Sequence, residues 1–150
     1  MNGRHLSALA VALFAPAWLL TAAHTSGELV GGRSAGWQAF VFAISPLVGN
    51  DVGGSLAWRV WMVSSALSNA AFLGSSILLW WRPQRVSHGL VASMAAATLI
   101  NAFWFFLPDM RGDLRVGYYL WLTAFALVTF AALATVRGRS VTARVGAGAA

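Results

Sequence analysis

Charge is what this 150-residue chain has least of. Asp, Glu, Lys and Arg together make up 9% of it, about a third of the roughly 25% carried by an ordinary soluble domain. Set against 59% hydrophobic residues and a mean hydropathy of +0.70, that leaves too few polar side chains to coat a soluble surface. Water is not the main solvent of this chain. Cysteine is absent, which excludes disulfides, thiolate metal sites and a cysteine nucleophile. Lysine is absent too: all ten basic residues are Arg, and with abundant Ala and Gly this fits a GC-rich bacterial genome. Ten arginines against four acids give a net charge of +6. The arginines are scattered singly or in pairs between apolar runs, so they build no basic face for nucleic acid.

The charge-free stretches locate the elements. Leu6–Ala23 contains 18 residues without Asp, Glu, Lys or Arg, Val60–Trp81 contains 22, Val86–Pro108 contains 23 and Val116–Val136 contains 21. A helix crossing the hydrocarbon core needs about 20 mostly apolar residues. The expected fold is therefore an all-α polytopic membrane protein forming one domain over residues 1–150. Its four spans are placed at about 6–23, 58–81, 87–107 and 116–136. The first stretch, preceded by Arg4 and His5 and ending Thr21-Ala22-Ala23, also fits a cleavable signal peptide. A retained helix loosened at Pro16 is the reading adopted. An outer loop covers 24–57, and its apolar part, Ser34 to Asn50, is short, contains Pro46 and is flanked by glycines. It reads as a short interfacial helix. The basic tail, 137–150, reads as disordered or attached to anionic headgroups.

Four spans put Arg4, Arg82, Arg85, Arg137, Arg139 and Arg144 on one side with no acids. Arg33, Arg59, Arg111 and Arg115 face the other side with Glu28, Asp51, Asp109 and Asp113. Positive loops stay cytoplasmic, so both termini are expected inside a bacterial inner membrane. Trp58, Trp61, Trp80, Trp81, Trp104, Tyr118 and Tyr119 lie near span ends, as interfacial anchors do.

Inside the membrane only amides and hydroxyls remain. Spans two and three join in a tight connection centred near residue 85, and Asn69 and Asn101 each lie sixteen residues from it. The two amides should sit level. They clamp the hairpin or form a polar site, and clamping is preferred, at about 0.6–2 kcal/mol per interhelical contact. Ser64 and Ser68 share the second span with Ser75, while Ser65 and Ser76 occupy an adjoining stripe, and small residues there allow close packing. The same mirror places Arg59 opposite residue 111, within reach of an ion pair with Asp109 or Asp113. The tripeptide Arg111-Gly112-Asp113 is a coincidence in so short a loop.

Catalytic chemistry finds little to use. His5, His24 and His88 all lie outside the spans, which leaves no axial ligand for haem between helices. There is no cluster of metal ligands. No span carries an acid, as proton-coupled transporters usually do. No cofactor, metal or catalytic residue is expected; His24, Glu28, Asp109 and Asp113 make the one polar set an enzyme could use.

Three segments, Gly36-Trp37-Gln38-Ala39-Phe40, Ser68-Asn69-Ala70-Ala71-Phe72-Leu73 and Gly117-Tyr118-Tyr119-Leu120-Trp121-Leu122, together resemble a group of uncharacterised bacterial inner-membrane proteins with four helices. Their order covers most of the chain from the first loop onward. The chain departs from the group's Asn-Pro step, since Ala70 follows Asn69. The resemblance implies architecture and bacterial origin, and no activity. The expected role is a small non-enzymatic membrane protein, an accessory or assembly subunit. Its partners are the lipid bilayer and other membrane proteins, or itself as a homo-oligomer. The alternative is oligomeric transport of a small solute or ion along a path at Asn69 and Asn101.

Overall fold

In the computed structural model the chain is described over residues 3–23, 34–49 and 54–147, side chains at 109–110 and 141–147 excepted. It is all-helical apart from one short strand pair. Helix α1 (Gly3–Leu19) leads into strand β1 (Thr21–Ala23). Strand β2 (Ser34–Ala35) runs directly into α2 (Gly36–Ile44) and a 3-10 turn, Ser45–Val48. Helices α3 (Leu56–Trp81) and α4 (His88–Ala102) follow, the latter prolonged by a 3-10 turn, Phe103–Phe106. A single turn, α5 (Pro108–Arg111), precedes α6 (Val116–Ala147).

The boundaries have local causes. Ser55 caps α3 by accepting a hydrogen bond from the Trp58 backbone N–H at 3.2 Å, and Ser87 caps α4 through Leu90 at the same distance. Pro83 and Pro108 stand where α3 and the α4 extension stop, because proline cannot supply the next helical N–H.

Among the described residues three helices are long and apolar enough to cross a membrane: Leu56–Trp81, His88–Phe106 and Val116–Ser140. The first and third cover their charge-free runs, and the second falls two residues short of its run at each end. Helix α1 is shorter than the run that marked it. It has 17 residues, about 25 Å at 1.5 Å per residue, because the chain leaves the helix after Leu19. Residues 21–23 become a strand, pairing antiparallel with 34–35 and bridging from Ala23 to Leu114. The Arg115 backbone N–H donates to the Ala22 carbonyl at 2.8 Å. At the other extreme, α6 continues to Ala147, where the sequence suggested a disordered tail. Arginines do not break a helix, and no proline follows Pro108.

Helices α1 and α6 pack antiparallel in close register. A Cβ on Gly3 would strike Thr135, and one on Gly117 would come within 2.8 Å of the Thr21 carbonyl and 2.9 Å of the Leu20 carbonyl. Small residues thus let the backbones touch. Phe14 of α1, Phe72 of α3 and Phe125 of α6 fill the centre. The ring centroids of Phe14 and Phe72 stand 4.3 Å apart, those of Phe72 and Phe125 5.0 Å. Helix α2 packs across the first half of α3, with Ala43 against Met62 and Ala66.

Arginines gather at one end. Arg139 of α6 donates to the Gln84 and Val86 carbonyls of the α3–α4 turn. That joins the turn's Arg82 and Arg85 to Arg137 and to the start of α1. The strand pair, α2 and the 103–115 segment make the opposite end.

Candidate functional site

The polarity of the bundle is inverted relative to a soluble one. Leu67, Leu73, Ile77, Leu99 and Phe130 project outward from the middle of their helices, whereas Ser7, Ser65, Ser68, Asn69, Ser75, Ser76 and Asn101 are buried. A polar group facing lipid has no partner, so it turns inward. Ser65, Ser68, Asn69 and Asn101 bond there, whereas the Ser7 and Ser76 hydroxyls are buried without a hydrogen-bond partner among the described residues.

Asn101 is the hub, with no exposed surface. Its Oδ1 accepts from the Ser65 hydroxyl at 2.7 Å. Its Nδ2 donates to Ser68 Oγ at 2.8 Å and to the Ala97 carbonyl at 2.9 Å. Both partners lie on α3, so one amide ties α4 to it through two side-chain bonds. Asn69 is held differently. Its Nδ2 donates to the Ala66 carbonyl at 3.0 Å, and its Oδ1 accepts from Trp121 Nε1 at 2.8 Å, linking α3 to α6. Trp104 Nε1 donates to Ser65 Oγ at 3.2 Å, and the Tyr118 hydroxyl donates to the Asn101 carbonyl at 3.0 Å. Lower down, the Thr98 and Thr129 hydroxyls meet at 3.1 Å between α4 and α6.

The two amides therefore share one network without bonding to each other. Asn101 bonds to Ser65 and Ser68, four and one residues nearer the start of α3 than the mirror position 69. Ser64 lies half-buried outside these bonds. Four participants escaped the sequence reading. The sequence reads Ser65 as packing, Trp104 and Tyr118 as interfacial anchors, and Trp121 only as part of the segment that opens the last span. Their spacing was available, since Ser65 and Asn69 are i, i+4, Asn101 and Trp104 are i, i+3, and Tyr118 and Trp121 are i, i+3.

A cavity of about 380 Å³ adjoins this network, between the end of α1, α2, α3 and the start of α6. Ser65 and Asn69 form its polar floor. Trp18, Phe40, Trp104 and Trp121 supply aromatic walls, and Ala39 and Ala43 of α2 cover it. Beyond Asn69, toward the arginine-rich end, the Phe14–Phe72–Phe125 cluster intervenes before the buried hydroxyls of Ser7 and Ser76. The cavity is a dead end in the single chain.

The remaining candidates lie elsewhere. Arg59 is half-buried near the start of α3. Of its suggested partners, Asp113 lies in the turn between α5 and α6, and Asp109 belongs to α5, where its side chain, like His24 and Glu28, is outside the described residues. Arg111 stacks over Phe105 at 4.7 Å, and Arg115 donates to the Gly112 carbonyl at 2.9 Å. Among the described residues no three His, Cys, Asp or Glu are grouped to hold a metal.

No protein-family model, curated protein or solved structure matches this chain.

Proposed function

We propose that this is a four-span protein of a bacterial inner membrane, with both termini cytoplasmic, acting as a non-enzymatic accessory or assembly subunit of a larger membrane complex. The observation that carries the reading is the interhelical hydrogen-bond network around Asn101. The amides, hydroxyls and indoles buried between α3, α4 and α6 are engaged in holding helices together. An interior so arranged favours a rigid body presenting its surface to partners.

A fourth span is supported by α1, which lies along α6 between residues 117 and 135. It buries Ala10, Phe14 and Ala17 while exposing Leu9, Val11 and Leu19. The orientation is supported by the arginine-rich end, since positive charge is retained in the cytoplasm.

The test is the native mass of the tagged protein extracted in mild detergent. The expected result is a complex containing a second membrane protein in fixed stoichiometry. The cavity reaching Asn69 favours a second reading, transport by a homo-oligomer. A homo-oligomer that moves solute in proteoliposomes, and loses that flux in Asn69→Leu, establishes transport and overturns the accessory role.

A further inference from the structure

We propose that the cavity beneath α2 is a binding site for an uncharged, largely apolar ring alcohol or phenol. Its volume of about 380 Å³ falls in the roughly 300–1,000 Å³ range of small-molecule sites, which are apolar clefts with a few placed polar groups. Among the described residues no charged one lines it. A charged ligand would lose its hydration there without an ionic partner, which is strongly unfavourable. The walls are indole and phenyl rings, suited to stack on a flat apolar body.

The floor fixes the ligand's polar group. Ser65 Oγ gives its proton to Asn101 and accepts one bond, from Trp104. A hydroxyl oxygen accepts two, so one lone pair is left. Asn69 Oδ1 accepts one bond, from Trp121, and also retains a second. Both open valences are acceptors. A donor on the ligand, an O–H, is what the Ser65–Asn69 floor takes, while Gln38 and Ser34, nearer α2, line the same cavity with donors of their own.

This inference does not rest on the accessory reading, because the cavity is complete within one chain. The probe is 2-naphthol, compared with 2-methoxynaphthalene and 2-naphthoate, on the purified full-length protein in detergent. The measurements are equilibrium dialysis and thermal unfolding. Binding of 2-naphthol is expected to saturate, to raise Tm, and to exceed that of the ether by about three- to tenfold, the value of one hydrogen bond. The naphthoate should bind more weakly than either. Ala39→Phe, which fills the cavity from α2 and leaves the network intact, should abolish 2-naphthol binding with its unfolding otherwise unchanged. Equal binding of alcohol and ether, non-saturable uptake, or full binding to a folded Ala39→Phe variant overturns the site. If that variant does not fold, the ligand series on the native protein decides alone.

Discussion

Asn101 and Asn69 look equivalent in the sequence, and the structure gives them unequal work. Asn101 engages both of its amide atoms with α3 side chains, while Asn69 makes one interhelical bond, to Trp121. Removing the Asn101 amide takes a partner from both Ser65 and Ser68; removing that of Asn69 takes one from Trp121. Asn101→Ala should therefore destabilise by about 1–3 kcal/mol, the scale of orphaned buried groups, and Asn69→Ala by roughly 0.6–1.7 kcal/mol. Unfolding in mixed detergent and SDS measures both. Equal losses would show that the hydroxyls re-pair without Asn101. Such a network is half legible from residues alone. That two amides in hydrocarbon need partners follows from charge scarcity. That Trp104 and Tyr118 turn inward does not, because an amphipathic ring satisfies itself equally well at a headgroup or against a buried oxygen.

Helices are where sequence and structure agree best. The charge-free runs located α3, α4 and α6, since a helix crossing lipid can carry few charges and the loops must hold the rest. They failed where a boundary is decided by partners. Leu20–Ala23 is as apolar as the helix before it, yet it pairs with 34–35 and 114–115 as a strand. Hydropathy cannot distinguish these states, because both bury apolar side chains. The tail failed in the opposite sense, since its charge says only that it leaves the membrane. Close helix contact yields a paired prediction. Gly117→Ala puts a methyl against the Leu20 and Thr21 carbonyls and should cost about 1–3 kcal/mol, as overpacking does. Gly74→Ala has open space around it on α3 and should gain about 0.5–1 kcal/mol through helix propensity. The same unfolding assay distinguishes the pair, and a loss at Gly74 would mean that this face is covered by something outside the chain.

Taken whole, the molecule separates its chemistry by depth: Arg4, Arg82, Arg85, Arg137 and Arg139 at one end, hydroxyls and amides between the helices, and a cavity under α2 toward the other end, which carries Arg59, Arg111 and Arg115. The proposed orientation rests on that charge distribution, and the proposed fourth crossing rests on α1. Because the sequence has no cysteine, single cysteines can be placed without background. The decisive measurement is labelling of Asn2→Cys, Gln84→Cys and Gly112→Cys by a membrane-impermeant maleimide in intact spheroplasts. Four spans with both termini cytoplasmic predict that position 112 reacts, while 2 and 84 react only after the membrane is permeabilised. Labelling of position 2 from outside, or of 84 in place of 112, would contradict the account.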